Sequence, residues 1–432
     1  PPLAVPGVLA AEALAAGEDL GGVPARLFLG MEAVREQAPA LCRAVDALER
    51  EMPREQRGLA AQAAFLAQLL AAAERRREAG DASEETACGR LAVWEAFADV
   101  LACEPLADHP YRLALRDPAS FRALVDPSPE AELIERLAGG VLARYEVIAD
   151  NVDPALLGPG FTAERFLRAW LLIVTRAFET GGARTTLVPG MDSFNHWPSR
   201  AGVQVRWDAA ADRMLLTAAR DVAEGEEVFL SYGSLCNPML FRTHGFTLPC
   251  AEEPGWTCIS LPASAQPVLR AHLPPADARR VMEFDSRGLH PTVASALEAC
   301  LGRSEAAADR GRSARAFLRE LLALRRDRYL QDALLAPWLE SLGRAGGPSG
   351  SWDVVLPDTD RERPGATNAL RVKASEYLCL AVHLEALDGG GHMPWLFGDK
   401  ADSLRKRLEA EIAGARGRDG GGDSAVSGGQ AA

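Results

Sequence analysis

"LVPGMDSFNHWPSR", Leu187 to Arg200, sets the reading of this chain. An apolar run ends in Pro189-Gly190, and Asp192, Asn195 and His196 then follow in quick succession. Taken alone, the stretch is an Asx-type turn in which Asp192 and Asn195 bond nearby backbone groups. An ordinary turn needs no Asn-His pair, so the neighbours on both sides decide what this one is.

Upstream stands "FTAERFLRAWLLIVTRAF", Phe161 to Phe178. Thr162 is placed as an N-cap and the apolar residues recur at helical spacing, which predicts a helix buried against a sheet with Arg176 near its end. By default such an arginine is a helix-end cation or a salt-bridged surface residue. Downstream the period shortens to two: "TTLV", "VQVRW", a polar turn from Asp208 to Arg213, "MLLTA" and "EEVFLSYG" predict a compact antiparallel core. Tyr232 closes its last strand and would ordinarily pack half-buried with its hydroxyl satisfied. "THGF", Thr243 to Phe246, follows.

Farther out, residues 3–29 read as a small β segment, with Val23 to Leu29 extended. From Met31 to about Trp170, "LAAQAAFLAQLLAAAERRRE" and "AELIERLAGGVLARYEVIA" carry helical periodicity with charged faces. Helical spacing returns after Cys250, clearest where Leu370, Ala374, Tyr377, Ala381 and Leu384 share a face. "GRAGGPSGS", Gly343 to Ser351, reads as a loop, and the glycine-rich stretch from Gly414 has nothing to bury and reads as disordered.

A chain of 432 residues has room for two to four domains. The net charge of −13 disfavours phosphate-driven nucleic-acid binding and favours a basic peptide partner. No apolar run reaches the length of a membrane span. The eight cysteines, Cys42, Cys88, Cys103, Cys236, Cys250, Cys258, Cys300 and Cys379, are scattered without a CxxC pair, so they read as reduced core thiols and not as a zinc site. An opening at Pro1 instead of Met reads as a fragment, which leaves the compartment open among cytoplasm, nucleus and plastid.

Arg176 in "TRAF", Asp192 to His196 in "DSFNH", Tyr232 in "SYG" and the following "HGF" are each weak signals. In this order and together they resemble a SET-domain protein methyltransferase, of the class that holds the Rubisco large-subunit and actin-histidine methyltransferases. The resemblance implies an α+β fold. A split SET-type antiparallel core (1–30 and 161–250) holds a helical insertion (31–160), then an all-α substrate-binding domain (251–413) and a disordered tail (414–432) follow. It implies S-adenosylmethionine as cofactor, held by Arg176, Asp192, Asn195, His196, His244, Gly245 and Phe246. Tyr232 would be the catalytic residue, Phe178, Tyr232 and His244 would line the substrate channel, and no metal is expected. The implied partner is a protein substrate met by a monomer, with no nucleic acid or membrane.

Two departures stand out. Where the family carries a glycine-x-glycine motif near its N-terminus, this chain has Pro6, Gly7 and Val8, which removes an amide donor and adds bulk. His244 stands where the Rubisco enzyme has a tyrosine. Phe178, where the histidine-specific relative has an asparagine, favours lysine as acceptor. The competing readings are a fold-retaining module without catalysis, a protein-histidine methyltransferase, and a cysteine hydrolase built on Cys236 with His196 or His244 and Asp192.

Overall fold

The computed structural model describes residues 7–48, 58–79, 90–180, 185–233, 235–248, 258–262, 281–285, 288–289, 319, 322–323, 325–335 and 365–388. The chain divides into two compact units. The first takes in residues 1–121, 134–234 and 242–245, and the second residues 122–133, 235–241 and 246–432.

The first unit is built on one sheet. Its strands are β1 (Val8–Leu9), β2 (Asp19–Pro24), β5 (Asn195–His196), β6 (Ala201–Asp208), β7 (Arg213–Ala218) and β8 (Glu227–Leu230), in the order β1-β8-β6-β7-β2 with β5 also on β8. A separate two-stranded ribbon pairs β3 (Phe178–Glu179) with β4 (Thr185–Thr186). β6 and β7 form the expected hairpin, from Val203↔Ala218 to Asp208↔Arg213. Its turn is held by Asp208, whose Oδ1 accepts the amides of Ala210 and Ala211. The antiparallel expectation needs refinement at one place: β8 runs parallel to both β5 and β6, with Asn195↔Phe229 and His196↔Leu230 in register. That parallel pairing lets the "NH" of β5 and the "SYG" that follows β8 emerge at the same end of the sheet. The sheet core joins Ala10, Phe194, Val203, Val222, Val228 and Leu230, with Phe178 and Tyr232 packed against it.

The inserted block is helical: α1 (Met31–Gln37), α2 (Pro39–Leu48), α3 (Leu59–Ala79), α4 (Arg90–Leu101), α5 (Pro110–Arg116), α6 (Pro118–Val125), α7 (Glu130–Asn151), α8 (Pro154–Leu157) and α9 (Ala163–Arg176). In α9 Thr162 is the N-cap, its Oγ1 accepting the Arg165 amide at 3.3 Å. The helix buries Phe166, Leu167, Trp170, Leu171, Leu172 and Ile173, each worth about 1.5–3 kcal/mol for its large side chain. It stops where Ala177 turns to extended backbone (φ −79°, ψ 148°), which delivers Arg176 and Phe178 to the site. The alanine-rich α3 buries Ala60, Ala63, Ala64, Ala67 and Ala71, small enough to let it lie close against α9.

In the second unit, α10 (Asn237–His244) begins and α11 (Ala366–Asp388) is the longest described helix. Leu370, Ala374 and Leu384 are buried on α11 and Tyr377 is half-buried, as their spacing implied. The all-α expectation for this region acquires an addition, the antiparallel sheet of β9 (Cys258–Pro262), β10 (Val281–Asp285) and β11 (Gly288–Leu289). Helical periodicity elsewhere in the region outweighed these short apolar runs in the sequence.

Two further expectations change. Val23 to Leu29 is extended at Val23–Pro24 and again at Phe28–Leu29, where Leu29 bridges Leu187, with a 3-10 turn of Ala25–Leu27 between. The reading of all cysteines as reduced fails at Cys236 and Cys258, which form a disulfide, their Cα atoms brought to 5.9 Å across a separation of 22 residues. Cys42, Cys103 and Cys379 are not in disulfides. The loop at Gly343–Ser351, the tail from Gly414, Pro6 and the remaining cysteines lie outside the described residues. No helix among the described residues is long and apolar enough to cross a membrane.

Candidate active site

Five of the residues singled out in the sequence meet around one cavity of about 400 Å³: Arg176, Phe178, Asp192, Tyr232 and His244 line it, with Thr175, Glu179 and Ser231 among their neighbours. Arg176 is the hub of its polar side. One guanidinium nitrogen donates to the Asp192 backbone carbonyl at 2.9 Å and to Asp192 Oδ2 at 3.1 Å. The other lies 2.6 Å from Glu104 Oε2. Asp192 is therefore no Asx-turn residue. Its side chain is 3% exposed, and its Oδ1 is buried with no hydrogen-bond partner among the described residues. Burial pushes the Asp192 carboxyl up, and the Arg176 charge works against that rise.

Tyr232 is fixed at three points. Its hydroxyl donates to the Phe194 carbonyl at 2.6 Å, its amide donates to His196 Nδ1 at 2.9 Å, and its ring stacks on the His196 imidazole at 4.8 Å. On the other side His244 lies 5.2 Å from it, tilted by 31°. Burial pushes the Tyr232 phenol up to about 12, so it is a neutral hydroxyl throughout the physiological range. Burial also lowers His196 to about 4, with His244 adding to the effect, and lowers His244 itself to about 4. Both imidazoles are uncharged at neutral pH. Because His196 Nδ1 accepts a backbone amide, its proton belongs on Nε2.

Asn195 and His196 themselves stand outside the ring of residues that line the cavity. His196 works from beneath, as the clamp on Tyr232. Asn195 Nδ2 donates to Glu227 Oε1 at 2.8 Å. Gly7 presses on that pair: a Cβ there would overlap Glu227 Oε1 and stand 2.7 Å from Asn195 Nδ2. Glycine is thus required at position 7 by its contact with Asn195 and Glu227. Val8 adds no bulk to it, because its side chain packs into the sheet core.

Gly245 follows His244 with φ +79°, and a Cβ on it would come within 2.9 Å of His109 Cδ2. Both facts require glycine. Phe246 falls in the second unit. Cys236 supplies no thiolate while it is disulfide-bonded, which removes the hydrolase reading. No group of three or more His, Cys, Asp or Glu suited to a metal occurs among the described residues. The motifs did not point to Glu104, His109 or Glu227 as parts of this constellation. The one local signal was His109 before Pro110, an N-cap and N1 pattern, and His109 Nδ1 does accept the Tyr111 amide.

No family model matches the chain. Ribosomal lysine N-methyltransferase set11 of Schizosaccharomyces pombe (strain 972 / ATCC 24843) is 27% identical over 122 residues, a match that covers 27% of this chain and 31% of that protein. The chain thus spans about a third of the length of that curated relative. Among solved structures, the SET domain of LSMT bound to methyllysine and AdoHcy superposes with a TM-score of 0.60 at 15% identity, over 95% of this chain and 92% of that one. Rubisco LSMT bound to AdoMet gives 0.55 at 17% identity, over 97% and 90%. The chain has the SET-domain fold.

Proposed function

We propose that this chain is an S-adenosylmethionine-dependent protein-lysine N-methyltransferase, with the cavity at Tyr232 as the place of methyl transfer. The observation that carries the reading is the convergence of Arg176, Phe178, Asp192, Tyr232 and His244 on one cavity. The relatives point the same way: the fold is shared with LSMT structures that hold AdoMet, AdoHcy or lysine, and the curated relative acts on ribosomal lysine.

The residues present fit the cofactor. The unpartnered Asp192 Oδ1 is a buried acceptor on the cavity wall, and unpartnered buried acceptors are costly unless something occupies them. Gly7 lies hard against the Asn195–Glu227 pair, where any side chain would displace one of the two. We assign cofactor contacts to Arg176, Asp192, Asn195 and the segment His244–Gly245, and the amine-facing role to Tyr232 and Phe178.

Bound there, the cofactor supplies a sulfonium methyl, which passes in line to an unprotonated amine as the carbon–sulfur bond breaks. The protein's task is alignment and exclusion of water. Tyr232 is well suited to aligning: with its proton committed to the Phe194 carbonyl, the phenol oxygen presents a lone pair toward the cavity. It is unsuited to removing a proton as phenolate, since the hydroxyl stays neutral to about pH 12. Neutral His196 and His244 add no positive charge that would repel a cation. The amine loses its proton to solvent before attack, helped by burial, which disfavours ammonium. Phe178 offers an apolar wall in keeping with an alkyl-amine chain, which supports lysine over histidine.

Calorimetric titration with S-adenosylhomocysteine tests the cofactor assignment, and labelled S-adenosylmethionine incubated with a ribosome-containing lysate tests the acceptor. Binding together with label on a lysine of a discrete protein supports the reading. Absence of cofactor binding refutes it.

A further inference from the structure

The loop between α4 and α5, within the helical insertion, enters the site twice. Glu104 pairs with Arg176 at 2.6 Å, and His109 forms the surface against which Gly245 lies. The path of this loop is held from α9. Arg168 Nη2 donates to the carbonyls of Leu101, Ala102 and Glu104 at 3.3, 2.8 and 2.9 Å, at and just beyond the C-terminus of α4. Arg168 and Arg176, about two turns apart on one helix, thus fix the backbone and the side chain of Glu104.

Among the charges that act on Tyr232, Arg176 is one cation against two carboxylates, Glu104 and Asp192, both less than one quarter exposed at 24% and 3%. Arg168, bonded to the Glu104 carbonyl, offsets part of the Glu104 charge and is not among the charges that act on Tyr232. The surrounding imidazoles contribute nothing, because burial holds His109 near 3 and His196 and His244 near 4. Glu179 at the rim is exposed, so solvent screens it. Glu104 is the carboxylate in excess. Its field reaches the reaction centre, since it adds to the rise of both the Asp192 carboxyl and the Tyr232 phenol.

We propose that Glu104 is a positioning and specificity residue: it holds Arg176 against Asp192 and gives the cavity the excess negative charge that favours a sulfonium cofactor over its neutral thioether product. This rests on the reading of the cavity as a methyl-transfer site. S-adenosylmethionine and S-adenosylhomocysteine differ at that point by one methyl and one positive charge, so a charge at Glu104 acts on one and not on the other. A residue that only braced the loop would support both alike.

The test is calorimetric titration of the full chain, as wild type, Glu104→Gln and Glu104→Asp, with each of the two compounds. Glu104→Gln is expected to weaken S-adenosylmethionine binding by about fivefold or more while S-adenosylhomocysteine shifts by less than about twofold, a difference of the size that one partly buried charge gives. Glu104→Asp, which keeps the charge, should leave the ratio of the two affinities within about twofold of wild type. Equal weakening of both compounds in Glu104→Gln, an unchanged ratio, or an equal change in ratio in Glu104→Asp overturns the proposal. If Glu104→Gln and a second neutral variant, Glu104→Met, both fail to fold by circular dichroism, the carboxylate is a requirement of the fold and the proposal also falls. A wild-type chain that binds neither compound refutes the methyltransferase reading itself, a result distinct from all of these.

Discussion

Replacing Arg176 with methionine isolates the electrostatics of the site. The side chain keeps much of its length and loses the charge shared by Asp192 and Glu104. Glu104, 24% exposed, can turn toward water, whereas Asp192, 3% exposed with one oxygen already unpartnered, cannot. Breaking a buried pair in this way costs about 3–5 kcal/mol. Protonation sets a ceiling: a carboxyl with an unfolded pKa near 3.9 can be neutralised at pH 7 for about 4 kcal/mol, so the loss should not exceed that. The sign follows from burial. Asp192 already has its pKa raised in the fold, and loss of Arg176 removes the main opposing influence. The folded variant then holds a proton that the unfolded chain has released, so its stability falls as pH rises above the unfolded pKa. Thermal unfolding of wild type and Arg176→Met should differ by about 6–16 °C at pH 7, at about 2–4 °C per kcal/mol for a unit of this size. Near pH 4.5 the ceiling drops to about 1 kcal/mol and the gap should nearly close. Arg176→Met/Asp192→Asn should recover more than half of the loss. An equal gap at pH 4.5 and pH 8 would refute the argument, because it would mean that Arg176 acts through packing of its stem.

Three other outcomes are expected. Tyr232→Phe should lower turnover by about tenfold or more while S-adenosylhomocysteine affinity, read by calorimetry, moves by less than about threefold, since the hydroxyl bears on the aligned amine and not on ground-state binding. Parallel losses would reduce Tyr232 to a packing residue. The rate of methyl transfer, measured from pH 6 to 9.5, should rise monotonically as the acceptor amine deprotonates, with no inflection near 6.5, because His196 and His244 titrate near 4 and Tyr232 near 12. Gly7→Val should weaken S-adenosylhomocysteine by about tenfold, since the added atoms displace Asn195 from Glu227. Unchanged affinity would remove Asn195 from the cofactor site.

Much of the framework is legible in local sequence, because local chemistry specifies it. Thr162 caps α9 through its own hydroxyl, and the β6–β7 hairpin is set by alternation and by Asp208 in its turn. Arg176, Asp192 and Tyr232 could be picked out because each sits in a short motif at the end of a helix or strand. Glu104 could not. It lies in "CEPLADHP", where no periodicity assigns a partner, and its role exists only because α4 and α9 are adjacent in space. Arg168 reads in sequence as one more polar position of an amphipathic helix. In "GEEVF" the two glutamates are indistinguishable as letters, yet Glu226, just before β8, bonds Arg220 and Glu227, its first residue, bonds Asn195. The Cys236–Cys258 pairing was illegible for the same reason, since spacing carries no information about which loops meet.

On the proposed reading, the charge pattern resolves a conflict inherent in the chemistry. A cavity negative enough to attract a sulfonium also stabilises the ammonium form of a lysine, which cannot attack. The structure holds one carboxylate more than Arg176 can neutralise, and one sulfonium carries the charge that cancels it. With the histidines neutral, the loaded cavity then has no net field to retain a proton on the amine, and burial alone favours its loss. An extra cation, such as a histidine titrating near 7, would weaken cofactor binding, and a further carboxylate would hold the amine protonated. The excess of one is therefore a balance between two requirements, and it is supplied from the insertion. The helical block thus does more than lengthen the SET fold: through Glu104 it sets the electrostatic condition under which Tyr232 can meet an uncharged amine.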